Sequence, residues 1–316
     1  MRYQVTHHTT YTYDEDVTDS LGVAHLVPRE LPWQRVGAAE APYRVGLRPE
    51  PTDLSTSVDF HGNRVTYFQV VEAHTELVIT GQGEVEVVAP EPRADLLARP
   101  WEANRPLVDP LAPGAWRATD FALASPAVPM HPGAREYAAA SLTPGRPVGE
   151  AVTELIHRIH TDFEYDATAT TVTSTVPEIL HRRAGVCQDF AHFTLAGLRA
   201  HGLAARYVSG YLATDPPPGK ERVVGADASH AWLAVWLGEE EWLSLDPTND
   251  QWQNDRYVTV AWGRDYGDVP PVKGVIFTEA STSTLTVSVD VAPLGTGTQD
   301  AGPTGPAPTT RKGDRG

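Results

Sequence analysis

The sequence contains no long hydrophobic run. Its first residues, MRYQVTHHTTYTYDED, lack the apolar stretch of a secretory signal, and no segment approaches the ~18 apolar residues that a membrane helix needs. We therefore expect no membrane partner and a cytoplasmic location.

Positive charge is also scarce. The chain has 25 Lys and Arg residues against 41 Asp and Glu residues, which gives a formal net charge of −16. A surface with this balance repels phosphate backbones and anionic lipid headgroups, so we expect no nucleic-acid partner.

Cysteine occurs once, at position 187. A single cysteine excludes an internal disulfide, so Cys187 is either a small buried hydrophobic residue or a thiol kept for its chemistry. Composition alone favours a small buried hydrophobic residue, so evidence for a reactive thiol has to come from the residues around Cys187.

The length of 316 residues predicts two domains. Apolar residues alternate from Tyr3 to Tyr13, the period of a half-buried strand, and short strand-like segments follow at 64–71, 76–80 and 84–88. The last two are separated by Gly81-Gln82-Gly83, which predicts a turn. Residues 1–90 are therefore predicted to form an N-terminal β domain.

A second domain is predicted to begin at Val148, after a Pro-, Ala- and Gly-rich connecting region, 91–147, that is partly helical. An amphipathic helix begins there, a short helix starts near Pro177, and a central buried helix starts at Cys187. Predicted strands follow at 205–212, 231–237, 242–246 and around 285–291. The core is thus expected to span 148–292, with a disordered tail at 293–316.

Three polar residues lie at the ends of these elements, where catalytic groups are useful. A free thiol with a pKa of ~8.5 is mostly protonated at neutral pH, and the N-terminus of a helix beginning at Cys187 favours its thiolate. The hairpin around 238–241 brings His230 within about three residues of a position opposite Asp246. A carboxylate there fixes the tautomer of a histidine base, and Pro247 places it at the rim of the sheet.

Each of these residues also has a structural explanation when it is taken alone. Asp246 before a proline suits a turn, His230 suits the edge of a strand, and Cys187 suits burial. The three together, in the chain order Cys, His, Asp, favour a nucleophile, a general base and a residue that orients the base.

The segments around these residues resemble the core of bacterial transglutaminase-like proteins. The resemblance rests on GVCQDFAH at 185–192, ARYVSGY at 205–211, DASHAW at 227–232, LDPTN at 245–249 and GRDYGDV at 263–269. The first ~90 residues resemble the β domain that precedes this core, through the run from Tyr3 to Tyr13, Pro28-Arg29 and DFHGN at 59–63.

The resemblance implies an α+β, papain-like fold with Cys187, His230 and Asp246 in the catalytic positions. Such a protein attacks a glutamine-type carboxamide of a protein or peptide, forms a thioester and passes the acyl group to an amine or to water. Transglutaminase-like acyl transfer, hydrolysis by a cysteine protease or amidase, and a non-catalytic scaffold remain open. No cofactor is expected, and no acidic loop with EF-hand spacing indicates calcium.

Several other residues invite a functional reading. Trp232, Asp189 and Arg264 are candidate substrate-binding residues, although the tryptophan suits the core and the two charged residues suit a buried pair. His157 and His160 lack the companions of a metal site and are predicted to be solvated, while His181 and His192 are predicted to be structural. The proline-rich loop 213–228 is long enough to overhang a cleft.

Overall fold

The computed structural model describes residues 1–37, 42–169, 171, 173–214 and 229–294. The predicted cleft loop lies outside the described residues from position 215 onward, and so does the predicted tail beyond Leu294. Among the described residues, no helix is both long and apolar enough to span a bilayer.

The first sheet is antiparallel and is organised around one very long strand, β1. The strands of this sheet are β1 (Arg2–Ala24), β2 (Gln34–Val36), β3 (Arg44–Arg48), β4 (Asp53–Val58), β5 (Arg64–Val70), β6 (His74–Val87), β14 (Val272–Thr278) and β15 (Ser283–Pro293). The first half of β1 pairs with β6 and β15, and its second half pairs with β5 and β14.

The predicted turn at Gly81-Gln82-Gly83 is wrong, because β6 runs through it as one strand. The glycines make room for neighbouring groups instead. A Cβ atom at Gly83 would lie 2.7 Å from the Cα atom of Tyr43, and one at Gly81 would lie 3.0 Å from the Cβ atom of Leu26. Glycine in a strand interior often marks such a close approach.

The connecting region forms short helices that pack on the second domain. They are α1 (Ala94–Leu97), α2 (Ala115–Thr119), α3 (Pro132–Ala139) and the 3-10 helices Trp101–Asn104 and Asp120–Ala122. Gly197 on the central helix lets α3 approach closely, since a Cβ atom there would lie 2.9 Å from the Cβ atom of Ala138. The helical content predicted for 91–147 is therefore present.

The second domain packs helices against a five-stranded sheet. The helices are α4 (Val148–Asp162), α5 (Val176–Arg182) and α6 (Cys187–Ala200). The strands lie in the order β12 (Gln251–Trp252), β11 (Glu241–Asp246), β10 (Ser229–Gly238), β9 (Ala205–Leu212) and β13 (Tyr257–Gly263). Two short strands, β7 (Glu164–Tyr165) and β8 (Ala184–Gly185), pair in parallel, and the 3-10 helix Tyr266–Asp268 follows β13.

The central helix α6 is buried along nearly its whole length, as its apolar residues on several sides predict. Phe190, Phe193 and Leu198 are among its buried side chains, and α6 packs on β9 and β10. The architecture is α+β, with the N-terminal β domain preceding a papain-like core.

The last two described strands, β14 and β15, were predicted to belong to the core, 148–292, but they lie in the first sheet. The alternation from Leu285 to Val291 does form a strand, but β15 and β14 both pair with β1 in the first sheet. A period of two predicts a strand without specifying its partner, because pairing depends on residues distant in sequence. The chain therefore returns to the N-terminal sheet after building the core.

Candidate active site

Cys187 is the first residue of α6 and is half-buried. The turn before it is fixed by Asp189, whose carboxylate accepts a hydrogen bond of 2.9 Å from the backbone N–H of Val186. Gly185 has to be a glycine, since a Cβ atom there would lie 2.7 Å from Oδ2 of Asp189. Cys187 thus lies at the N-terminal end of a buried helix, where the helix dipole is positive.

His230 and Asp246 meet across the hairpin of β10 and β11. Leu233 of β10 lies opposite Leu245 of β11 in this hairpin. Asp246 is the residue after Leu245, and His230 lies three residues before Leu233, so both are near the same end of the hairpin. Nε2 of His230 lies 2.7 Å from Oδ2 of Asp246. His230 also forms a side-chain hydrogen bond with Cys187, which helps to raise the pKa of the imidazole.

The Asp246 carboxylate is fully buried and receives hydrogen bonds on both oxygens. Its Oδ1 accepts from the backbone N–H of Thr248 at 2.8 Å and of Asn249 at 3.2 Å. Its Oδ2 accepts from the side chains of Asn249 and Tyr257, each at 2.7 Å, in addition to His230. A buried charge with this many donors is held in one position and in its ionised form.

The two partners shift each other's protonation in opposite directions. Burial alone would lower the pKa of His230, but hydrogen bonds to Asp246 and Cys187 outweigh it and raise the pKa to about 10. Burial raises the pKa of Asp246, yet the hydrogen bond and charge of His230, with the donors Asn249 and Tyr257, hold it below the usual value. Both shifts favour an imidazolium beside a carboxylate.

These shifts predict how stability depends on pH. Because folding raises the pKa of His230, this residue stabilises the fold fully below its unfolded-state pKa of ~6.5, and the stabilisation is lost as pH rises toward 10. Because folding lowers the pKa of Asp246, this residue stabilises the fold above its unfolded-state pKa of ~4. The pair is therefore expected to stabilise the fold most between about pH 4 and 6.5. In urea unfolding, the stability difference between the native protein and His230→Ala should be larger at pH 6 than at pH 9. An equal difference at both pH values would contradict this.

Tyr257 and Asn249 were not identified from the sequence as part of this site. Asn249 lies inside the LDPTN segment, where the proline after Asp246 predicts a turn that would bring Asn249 back toward the carboxylate. Tyr257 begins β13, which pairs with β9, so its approach to Asp246 depends on the order of strands in the sheet. Gln251 in turn donates a hydrogen bond of 2.7 Å to the hydroxyl of Tyr257.

The three predicted substrate-binding residues have structural positions instead. Trp232 has no exposed area and stacks beneath the ring of His230, with ring centroids 6.0 Å apart. Asp189 is buried and caps the start of α6. Arg264 pairs with Asp268 through contacts of 2.9 and 3.0 Å, beside a separate cavity that it lines with Asp59 and Asp120. These contacts give all three side chains a structural role in the described part of the chain.

Two histidines predicted to be solvated hold the loop that follows Asp246. Nδ1 of His157 lies 2.6 Å from the Asp250 carboxylate, and Nδ1 of His160 lies 2.9 Å from the backbone oxygen of Thr248. His192 is buried, and its Nε2 accepts from the backbone N–H of Tyr266 at 3.2 Å. Burial lowers the pKa of His192 to about 4, so it stays neutral.

A cleft of about 230 Å³ opens over Cys187 and His230. Tyr207, Ser209 and Tyr266 line it from the core, and side chains of β1 and β15 line it from the first sheet. Within the described part of the chain, no cluster of three or more His, Cys, Asp or Glu residues forms a candidate metal site. The cleft presents a thiol, an imidazole, hydroxyls and apolar groups to a substrate.

Fold and site together define a transglutaminase-like protein with a papain-like core. Residues 3–86 match the bacterial transglutaminase-like N-terminal region, and residues 135–247 match the transglutaminase-like superfamily. An uncharacterized protein of Mycobacterium tuberculosis is 48% identical over 93% of both chains. One of Mycobacterium leprae is 32% identical over 93% of this chain and 99% of its own. The chain therefore belongs to the transglutaminase-like superfamily.

Two further similarities concern named activities. A protein-glutamine gamma-glutamyltransferase of Pseudomonas aeruginosa is 40% identical over 67 residues, which are 21% of this chain and 10% of that protein. The crystal structure of a protein described as a candidate cysteine protease from Cytophaga hutchinsonii has a TM-score of 0.69 and 17% identity, covering 93% of this chain and 92% of that one. The second similarity shows the fold alone.

Proposed function

We propose that the protein is a cysteine acyltransferase that acts on glutamine-type carboxamides of protein or peptide substrates through a thioester on Cys187. The observation that carries this proposal is the position of His230, which hydrogen-bonds buried Asp246 on one side and Cys187, at the start of α6, on the other. This is the arrangement that an activated thiol requires.

The proposed reaction begins with the Cys187 thiolate beside the His230 imidazolium. The sulfur attacks the carboxamide carbon, and backbone N–H groups at the start of α6 stabilise the oxyanion. His230 gives its proton to the departing nitrogen, so ammonia leaves and a thioester remains. Neutral His230 then takes a proton from an incoming amine, whose nitrogen attacks the thioester carbon and releases the thiolate.

Hydrolysis is the second candidate, because the same three residues serve either acceptor. The cleft is open and Cys187 is half-exposed, so water can reach a thioester there as well as an amine can. This alternative is a cysteine protease or amidase. A non-catalytic scaffold is the third candidate, and the intact set of Cys187, His230 and Asp246 weighs against it.

Incubation of the protein with a glutaminyl peptide and a labelled primary amine tests the proposal. We expect the label to be incorporated into the peptide and ammonia to be released in equal amount, with both lost in Cys187→Ala. Release of the free acid without incorporation would instead identify an amidase. No product from any glutaminyl or peptide amide would favour the scaffold.

A further inference from the structure

One wall of the cleft is built by the N-terminal sheet and by the strand with which the chain returns to it. In the pairing of β1 with β15, Thr9 lies opposite Val287 and Tyr11 lies opposite Leu285. Directly paired residues share one face of a sheet, and all four line the cleft that contains Cys187. We call these four residues the β-sheet wall.

The β-sheet wall is apolar and partly open to solvent. Leu285 is 55% exposed and Val287 is 46% exposed, although Val289 and Val291, further along the same face, are buried against the core. The hydroxyl of Thr9 is already engaged, because it lies 2.8 Å from Nε2 of His7. Exposed aliphatic groups that continue a buried face and border a cleft are typical of a binding surface.

The ring of Tyr11 completes the wall on the aromatic side. It stacks on Tyr13 with an interplanar angle of 4° and ring centroids 6.5 Å apart. Tyr266 and Tyr207 line the cleft from the core, with their own ring centroids 6.4 Å apart. An entering side chain therefore meets aliphatic and aromatic surface from both domains.

The charge and the size of the cleft restrict what it can hold. Among the described lining residues there is no Asp, Glu, Lys or Arg, so no group on this wall would pair with a charged substrate side chain. The volume of about 230 Å³ is below the ~300–1,000 Å³ typical of sites that enclose a whole small molecule. The cleft is suited to a few groups of a larger molecule.

We propose that the β-sheet wall binds an apolar or aromatic side chain of the polypeptide that carries the carboxamide, next to the group that Cys187 attacks. The occupant is argued from the continuity of the wall with the cleft over Cys187, its uncharged surface and its size. This inference rests on the proposed function and names its substrate class. It gives the N-terminal sheet a role in selecting the substrate.

Alkylation of the single thiol tests the wall without requiring turnover. The alkylation rate of Cys187 is measured with iodoacetamide and with iodoacetanilide, which carries a phenyl group, and each rate is divided by that of a small free thiol with the same reagent. We expect this relative rate to be higher for iodoacetanilide in the native protein. Leu285→Ser should reduce this preference by about tenfold, the change expected when ~50 Å² of apolar contact is lost.

Two further variants separate the wall from general effects on the fold. Val287→Thr keeps the shape of the side chain and should weaken the preference in the same direction. Val275 on β14 is an aliphatic side chain that is 63% exposed and does not line the cleft. The reagent preference of Val275→Ser should therefore match that of the native protein. No native preference, or an equal loss in Val275→Ser and Leu285→Ser, would overturn the inference.

The outcome is separable from that of the proposed function. A preference that depends on Leu285, in a protein that transfers no acyl group to amines, would retain the apolar subsite and reject the acyltransferase. The opposite result would be amine incorporation without any such preference, together with equal turnover of glutaminyl peptides that have alanine or phenylalanine beside the glutamine. It would retain the acyltransferase and reject the apolar subsite.

Discussion

Replacing His230 with alanine is expected to lower the rate of ammonia release from a glutaminyl peptide by about 10³-fold, within the range for losing a general acid–base group. In the proposed reaction, the variant loses both the group that stabilises the thiolate and the proton donor for the departing nitrogen. Asp246 and Cys187 raise the pKa of His230 to about 10 against the effect of burial, which suits an imidazolium for both proposed roles.

A histidine outside the site provides the control for this change. His8 is exposed on β1 and contacts the hydroxyl of Thr80 at 3.0 Å, so His8→Ala should keep native turnover. Equal rates for His230→Ala and the native protein, with both folded, would remove His230 from the chemistry. The loss should appear mainly in kcat rather than in KM, since His230 acts on the reacting atoms.

Replacing Asp246 with asparagine is expected to affect both turnover and stability. An amide nitrogen in place of either oxygen would face donors, because Oδ2 meets His230, Asn249 and Tyr257 and Oδ1 meets two backbone N–H groups. The histidine would lose the acceptor that fixes its tautomer, which costs about 10⁴-fold in a comparable triad. The free energy of unfolding should fall by about 3 kcal/mol, as for other broken buried pairs.

An exposed aspartate is the matched control. Asp95 pairs with Arg93 at the surface, at 2.6 Å, and Asp95→Asn should leave both turnover and stability close to those of the native protein, because solvent screens an exposed pair. Urea unfolding and ammonia release measure the two effects on the same preparations. If Asp246→Asn behaved like Asp95→Asn, the buried carboxylate would not orient the histidine.

The parts of the site encoded by local pattern could be predicted from the sequence. The apolar run after Cys187 predicted the helix that begins there, and the strand predicted at 205–212 is β9 with the same bounds. The position of His230 relative to Asp246 followed from the length of one hairpin, because its register is set by the turn. These contacts join residues that are close in sequence or on adjacent strands.

The parts that depend on distant partners could not be predicted. Tyr257 reaches Asp246 through the strand order of the second sheet, and Leu285 reaches the cleft because β15 pairs with β1, about 270 residues earlier. Trp232, two positions after His230, is a candidate for substrate contact in the sequence because an aromatic side chain can exclude water from an acyl-enzyme, but its side chain is fully buried. Residues two apart on a strand share a face, but the sequence does not specify how deeply each is buried.

The most direct test of the central claim, that His230 activates Cys187, is the iodoacetamide rate of this single thiol between pH 6 and 8. If His230 holds the sulfur as a thiolate, as proposed, the native protein should react at a rate that changes little over this range. His230→Ala should react more slowly at pH 6 and accelerate by almost tenfold per pH unit, as an ordinary thiol with a pKa of ~8.5 does. Parallel profiles for the two proteins would contradict the account.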